Sequence, residues 1–234
     1  MTSSPYLIIG AGRGIGRGIA ERLIAQGLPV ITLSRQSDGP DGALEHLHAD
    51  VVADGLPVDR LPEALSGVAY CPGSIDLKPF RSIRVEDLRS ALEVNLVGAF
   101  RAAQVCADRL KRVPGSSLLL FSTVAVGQGM PFHASVAAAK AGVEGLSRSL
   151  AAEWAPTVRV NCIAPGLTDT PLAERLLNTP EKAKAAGDRH PMKRVGQVND
   201  VAALGAFLLG PRCRMDHRPS AGRGRWNVPP ALIS

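Results

Sequence analysis

Short apolar runs alternate with longer stretches of helical spacing along the chain. "YLIIG" (6–10), "PVITLSR" (29–35), "GVAYCPG" (67–73), "SSLLLFST" (116–123) and "VRVNCIAPG" (158–166) read as strands, and "LEHLHADV" holds another that ends at Asp50. These strands are continuous apolar runs, not apolar–polar alternations, which is the pattern of strands covered on both faces. Between them, "GAGRGIGRGIAERLIAQG" places Ile15, Ile19, Leu23 and Ile24 on one helical face before Gly27. "RVEDLRSALEVNLVGAFRAAQVCADRLK" and "ASVAAAKAGVEGLSRSLAAEWA" keep a helical period over their length, and "NDVAALGAFLLG" predicts a last helix capped by Asn199. Strand and helix in strict turn predict an α/β chain, a doubly wound parallel sheet in a single Rossmann-like domain over residues 1–210. The proline-bearing segment 50–67 leaves room only for a stunted helix between the third and fourth strands.

Composition narrows the function classes. The 234 residues carry a net charge of +6, but residues 211–234 hold five arginines and one acid, Asp216, so four of the six charges belong to the tail. That distribution points away from a nucleic-acid-binding surface on the domain. No apolar run approaches the roughly 18 residues of a membrane span. The N-terminus "MTSSPYLIIGAG" has no basic leader, so a cytoplasmic location is expected. Cys71, Cys106, Cys162 and Cys213 are scattered without a CxxC pair, consistent with free thiols in a reducing compartment and with no metal site.

Candidate chemistry starts at the first strand-to-helix junction. Gly10, Gly12, Gly14 and Gly16 let backbone approach a pyrophosphate, and the helix opening at Ile15 offers unpaired N–H groups. A tight turn without ligand is the plainer alternative. Arg13 lies inside the turn, and Arg35 ends the second strand, where an acid would hold the ribose 2′-hydroxyl of NAD. An arginine fork suits a 2′-phosphate, so NADP(H) is favoured over NAD(H), against the alternative of a solvated surface charge.

Taken in order, these motifs resemble the short-chain dehydrogenase/reductase (SDR) family over about residues 5–210. The resemblance implies that Asp50 and Val51 contact adenine, and that Gly73 remains of an Asn-Asn-Ala-Gly loop written here as "YCPG". It implies that Asn95 holds a water near Lys140, that Lys140 binds the nicotinamide ribose, and that Pro165, Gly166 and Thr168 lie near the carboxamide. It also implies hydride transfer between nicotinamide C4 and a carbonyl or alcohol carbon. The family's serine position falls on Thr123, with Ser122 facing the other way along the strand, and its tyrosine position falls on Val136, four residues before Lys140. Valine has no proton to give. His133 is the nearest titratable substitute, or simply a group at a helix start; Tyr70 is expected to be a packed aromatic. The segment 171–195 is expected to lid a small-molecule site, with Pro171, Leu172, Leu176 and Met192 lining it or packing on the body.

The tail "PRCRMDHRPSAGRGRWNVPPALIS" has no hydrophobic period. Read one nucleotide late, permissible codons for 212–227 give Asp-Ala-Gly-Trp-Ile-Thr-Gly-Gln-Ala-Leu-Gly-Val-Asp-Gly-Gly-Thr, which resembles the family's usual ending. A frameshift near Pro211 is therefore expected, with residues 211–234 disordered, the last strand missing, and any homo-oligomer built on that edge weakened. Three functions follow: an NADPH-dependent oxidoreductase with an altered acid, an NADP(H)-binding protein without turnover, and tail-mediated RNA binding, the least supported.

Overall fold

Along β1 (Tyr6–Ile9), side chains alternate between two cores. Leu7 and Ile9 join one cluster; Tyr6 and Ile8 join the other. This is the period of two that a strand imposes, applied to a strand buried on both sides. The computed structural model describes residues 4–213 and the backbone of 231–233. The helix α1 (Gly14–Ala25) returns the chain to β2 (Val30–Ser34), and β3 (Glu45–His48) pairs beside it. Only a short 3₁₀ turn, Val58–Arg60, separates β3 from β4 (Gly67–Tyr70), so the stunted helix expected there is found. Next come α2 (Val85–Leu92), α3 (Gly98–Lys111), β5 (Ser116–Phe121), α4 (Val124–Gln128), α5 (Ala134–Trp154) and β6 (Val158–Pro165). These six strands are parallel, in the order β3-β2-β1-β4-β5-β6. The helices α3 and α5 cover one face of the sheet; α1 and α8 (Val198–Leu209) cover the other.

Between β6 and α8, β7 (Thr168–Asp169) and β8 (Gly196–Gln197) pair in a two-residue parallel ribbon. The segment between them carries α6 (Glu174–Leu177) and α7 (Pro180–Arg189).

Three expectations need correction. The edge beside β6 is not empty: β9 (Ala231–Ile233) pairs with it in parallel, Ile163 level with Ala231. An open edge strand presents unpaired N–H and C=O groups, and the apolar triplet after two prolines supplies a partner for them. A tail disordered throughout 211–234 is corrected to the same extent; of the shifted-frame segment 212–227, residues 214–227 lie outside the described residues. Asn199 does not cap α8. Gln197 holds that position, its N–H donating to Asp200 at 2.9 Å in a capping box, while Asn199 accepts from Arg22 of α1 at 3.0 Å. Finally, the long helical pattern over 84–111 is interrupted by one widened (π) turn, Glu93–Val97.

Tyr70 locks that turn. Its hydroxyl donates to the Val94 carbonyl at 2.8 Å, and burial pushes its pKa well above the usual phenol range, so it is the packed aromatic expected and not an acid. A Cβ on Gly98 would overlap Tyr70 Oη. Gly98→Ala is therefore expected to cost about 1–3 kcal/mol in urea unfolding, with part of the loss recovered when Tyr70→Phe is added.

Candidate active site

All six central strands run the same way, so their C-terminal ends share one rim. The strand order reverses between β1 and β4, the place where open α/β sheets form a ligand crevice. The glycine turn rises from β1. Gly10 and Ala11 both donate to the Leu33 carbonyl, at 2.7 and 3.2 Å, and Gly10 and Gly14 take φ of 83° and 59°, values that suit glycine. A Cβ on Gly16 would overlap the Gly10 carbonyl oxygen, and one on Gly12 would overlap Gln36 Oε1. The turn is thus packed to glycine dimensions. Arg13 occupies the capping position of α1 without a side-chain cap, and Ile15 packs partly into the core beneath, so the first N–H groups of a twelve-residue helix keep no side-chain partner. These features fit a pyrophosphate, with donors supplied by backbone and positive charge by the helix end and Arg13.

Arg35 lies just past β2, exposed, with Nη1 at 3.7 Å from Asp50 Oδ2. Asp50 also accepts from Val52 N at 2.9 Å, which fixes its loop, and Val51 is buried beside it. Arg35, expected at a 2′-phosphate, and Asp50 and Val51, expected at adenine, thus lie together at this corner. His48 and His46 brace the same corner through contacts to the carbonyls of Arg35 (3.0 Å) and Gln36 (2.9 Å). The sequence reading missed both histidines, because their alternation on β3 shows only once β2 and β3 are paired.

At the other end of the crevice, Asn95 and Lys140 meet around Gly73. A Cβ on Gly73 would stand 3.1 Å from Asn95 Oδ1 and 3.6 Å from Lys140 Nζ. Asn95 sits in the widened turn and donates to Ala91 O at 2.8 Å and Ser74 Oγ at 3.0 Å. Such turns recur at functional sites because they re-aim a side chain without ending the helix. Lys140, only 9% exposed, donates to the Phe121 carbonyl at 2.8 Å. Burial lowers its pKa to about 8, despite a small opposing effect of the Cys162 and Cys71 thiols. Those thiols are themselves pushed up by burial, to about 11 and about 12, which keeps them protonated and inert.

Thr123 caps α4, its Oγ1 accepting from Ala125 N at 3.3 Å, so the hydroxyl hydrogen remains available to a ligand. Ser122 does face away: its hydroxyl donates to Glu144 at 2.6 Å. Val136 is buried one helical turn before Lys140, on the same face of α5. His133 is not drawn in. Its ring nitrogen Nδ1 is 2.7 Å from the Pro131 carbonyl, and among the described residues it makes no hydrogen bond to Lys140, Thr123 or Asn95.

Pro165 ends β6, and the turn after it is closed by Thr168, buried, donating to Gly166 O at 3.1 Å. Thr168 therefore spends its hydroxyl inside the turn. Thr170 and Pro171 pass over Gly14, at 3.7–3.8 Å from where its Cβ would be, so the segment 170–195 begins directly above the glycine turn.

The sequence profile described as enoyl-(acyl carrier protein) reductase matches residues 60–215. An L-xylulose reductase from Bos taurus is 30% identical over 224 residues, covering 89% of this chain and 90% of its own. A solved short-chain type dehydrogenase/reductase from Mycobacterium ulcerans superposes with a TM-score of 0.79 at 27% identity, covering 91% of this chain and 85% of its own. The chain belongs to the SDR family. An aldohexose dehydrogenase from Thermoplasma acidophilum, solved without ligand, is a further structural relative of this SDR chain, with a TM-score of 0.82 at 28% identity and coverage of 90% and 88%. Among the described residues no helix is long and apolar enough to cross a membrane, and no group of His, Cys, Asp and Glu is arranged to hold a metal ion.

Proposed function

We propose that this SDR chain is an NADP(H)-dependent oxidoreductase acting on a carbonyl or alcohol substrate, with Lys140 giving or taking the proton in place of the absent tyrosine. The carrying observation is Lys140 itself: a buried amine with a pKa near 8, beside Gly73 and Asn95, with no phenol between it and the rim. A general acid works best when its pKa lies near the operating pH, and this amine meets that condition.

The cofactor, when bound, supplies the hydride. The chain's own groups do the rest. The N–H groups after Gly12 and the Arg13 guanidinium bind phosphate, and Arg35 adds a fork for a 2′-phosphate. Thr123 donates its hydroxyl to the substrate oxygen. Lys140 holds a proton at Nζ, and Asn95, bonded to Ser74 and Ala91, fixes the wall beside it. Val136, buried and without a proton to give, adds no competing acid to this corner.

The test uses fluorescence to measure NADPH and NADH affinity, followed by absorbance at the nicotinamide band with a panel of ketones, aldehydes and enones. Arg35→Ser is expected to weaken NADPH roughly 10- to 100-fold, the worth of a charge-assisted contact, and to leave NADH affinity nearly unchanged. His133→Ala is expected to leave turnover unaltered. Equal affinity for the two cofactors would overturn the NADP(H) assignment. Val136 favours a second reading, cofactor binding without turnover; tight NADPH binding with silence across the panel would select it.

A further inference from the structure

We infer that His190, at the end of α7, is a substrate-binding donor whose Nε2–H takes a second oxygen on the substrate, so that the site selects carbonyl compounds bearing a neighbouring hydroxyl or oxo group. This rests on the oxidoreductase reading above. The His190 backbone N–H donates to Gly187 O at 3.0 Å, and its carbonyl accepts from Lys193 N at 2.8 Å, which closes a tight turn through Pro191 and Met192. Within that turn the ring folds back, and Nδ1 accepts the Met192 N–H at 3.1 Å. With Nδ1 occupied as acceptor, the neutral ring carries its proton on Nε2. The turn therefore fixes both the orientation and the tautomer.

The Nε2 edge points at the turn after β6. Nε2 and Cδ2 lie 4.0 and 3.9 Å from the place a Gly166 Cβ would occupy, and among the described residues nothing accepts from Nε2. The other hydroxyls at this turn are committed: Thr168 donates to Gly166 O and Thr170 to Thr168 O. His190 is thus the donor left over the turn.

Register relates it to the reacting end. Phe121 of β5 is level with Ile163 of β6, and Thr123 and Pro165 each follow two residues further along their own segments. Adjacent strands are about 4.8 Å apart. Thr123 stands just past the end of β5, and His190 lies against Gly166, just past the end of the neighbouring strand β6. A ligand whose reacting oxygen meets Thr123 and Lys140 can place an oxygen on a neighbouring carbon toward His190. Giving up a proton would require the doubly protonated ring and would cost the Met192 bond, so His190 reads the substrate and leaves proton transfer to Lys140.

The experiment compares 2-hydroxycyclohexanone with cyclohexanone. With NADPH, the native protein is expected to favour the hydroxyketone about three- to tenfold in kcat/KM, the worth of one neutral hydrogen bond. His190→Phe should erase that ratio, and His190→Gln, which keeps an N–H donor, should restore part of it. A merely structural role would lower both substrates equally and leave the ratio intact, which would overturn the proposal. The same pair is titrated by calorimetry into the NADP⁺-saturated protein. If neither ketone is reduced, the oxidoreductase reading fails, yet a His190-dependent binding preference for the hydroxyketone still supports this assignment. Equal binding of the two ketones, or no binding of either, overturns it.

Discussion

Val136→Tyr is expected to raise the rate of NADPH-dependent carbonyl reduction, by less than the roughly 10²–10⁴-fold worth of a positioned general acid because Lys140 already fills part of that role. Val136 lies four residues before Lys140 on the buried face of α5, so a tyrosine there would share that face with the amine. The ammonium would favour the phenolate and draw the phenol toward neutral pKa. Thr123 keeps the second donor to the same oxygen. Val136 is only 5% exposed, so the larger ring carries an overpacking cost of about 1–3 kcal/mol. A melting curve on both proteins separates that cost from the catalytic gain. Single-turnover absorbance at pH 7 reads the rate. A folded, cofactor-binding Tyr variant that is no faster than the native chain would show that the corner around Lys140 lacks catalytic geometry.

Lys140→Met is expected to lose turnover by at least the same 10²–10⁴-fold, since it removes the proton carrier itself. Carbonyl reduction by the native chain should proceed below about pH 8 and decline above it, as the ammonium with its lowered pKa gives up its proton. Stability moves the opposite way. Between pH 8 and about 10.5 the unfolded chain binds a proton at this lysine that the folded chain does not, so the native protein gains stability with rising pH across that window. Below pH 8 both states are protonated, and the buried charge is a constant cost. Relative to Lys140→Met, the native protein should gain roughly 3 kcal/mol over the window, a difference in which the shared cysteine and tyrosine titrations cancel. Urea titrations of both proteins at pH 7, 9 and 10 check this. A flat difference would mean that the amine is solvated and poorly placed as an acid.

Much of this was legible before any coordinates. Continuous apolar runs give strands covered on both faces, and β1, β5 and β6 fall where such runs stand. The glycine turn was legible because only glycine tolerates its φ values and close contacts. The widened turn at Asn95 was hidden, since Leu88, Leu92 and Leu96 continue a helical period straight through it. β9 was hidden by its surroundings: three apolar residues after an Arg/Pro/Gly stretch carry no periodicity, and only the free edge of β6 gives them a place. The capping role of Gln197 was masked by the better intrinsic cap beside it, Asn199, which the structure uses to hold Arg22 instead. His190 had no signal beyond a His-Pro pair, because its meaning comes from a ring folded onto the next residues and from a glycine in the turn after β6. His133 had the opposite problem: nearness in sequence suggested a role that its tie to Pro131 does not support.

The ribbon of β7 and β8 has a bearing on how such a chain can change over generations. Thr168 is level with Gly196 and Asp169 with Gln197, so both ends of the segment 170–195 are fastened side by side. Loop-closure entropy grows only slowly with length once the ends are joined. Insertions, deletions or wholesale exchange between those ends can therefore accumulate while Lys140, Asn95 and the glycine turn keep their places. On the oxidoreductase reading, ligand preference and hydride chemistry would be separately heritable traits, and the interval from Thr170 to Val195 would be the natural unit for grafting one SDR's preference onto another's frame.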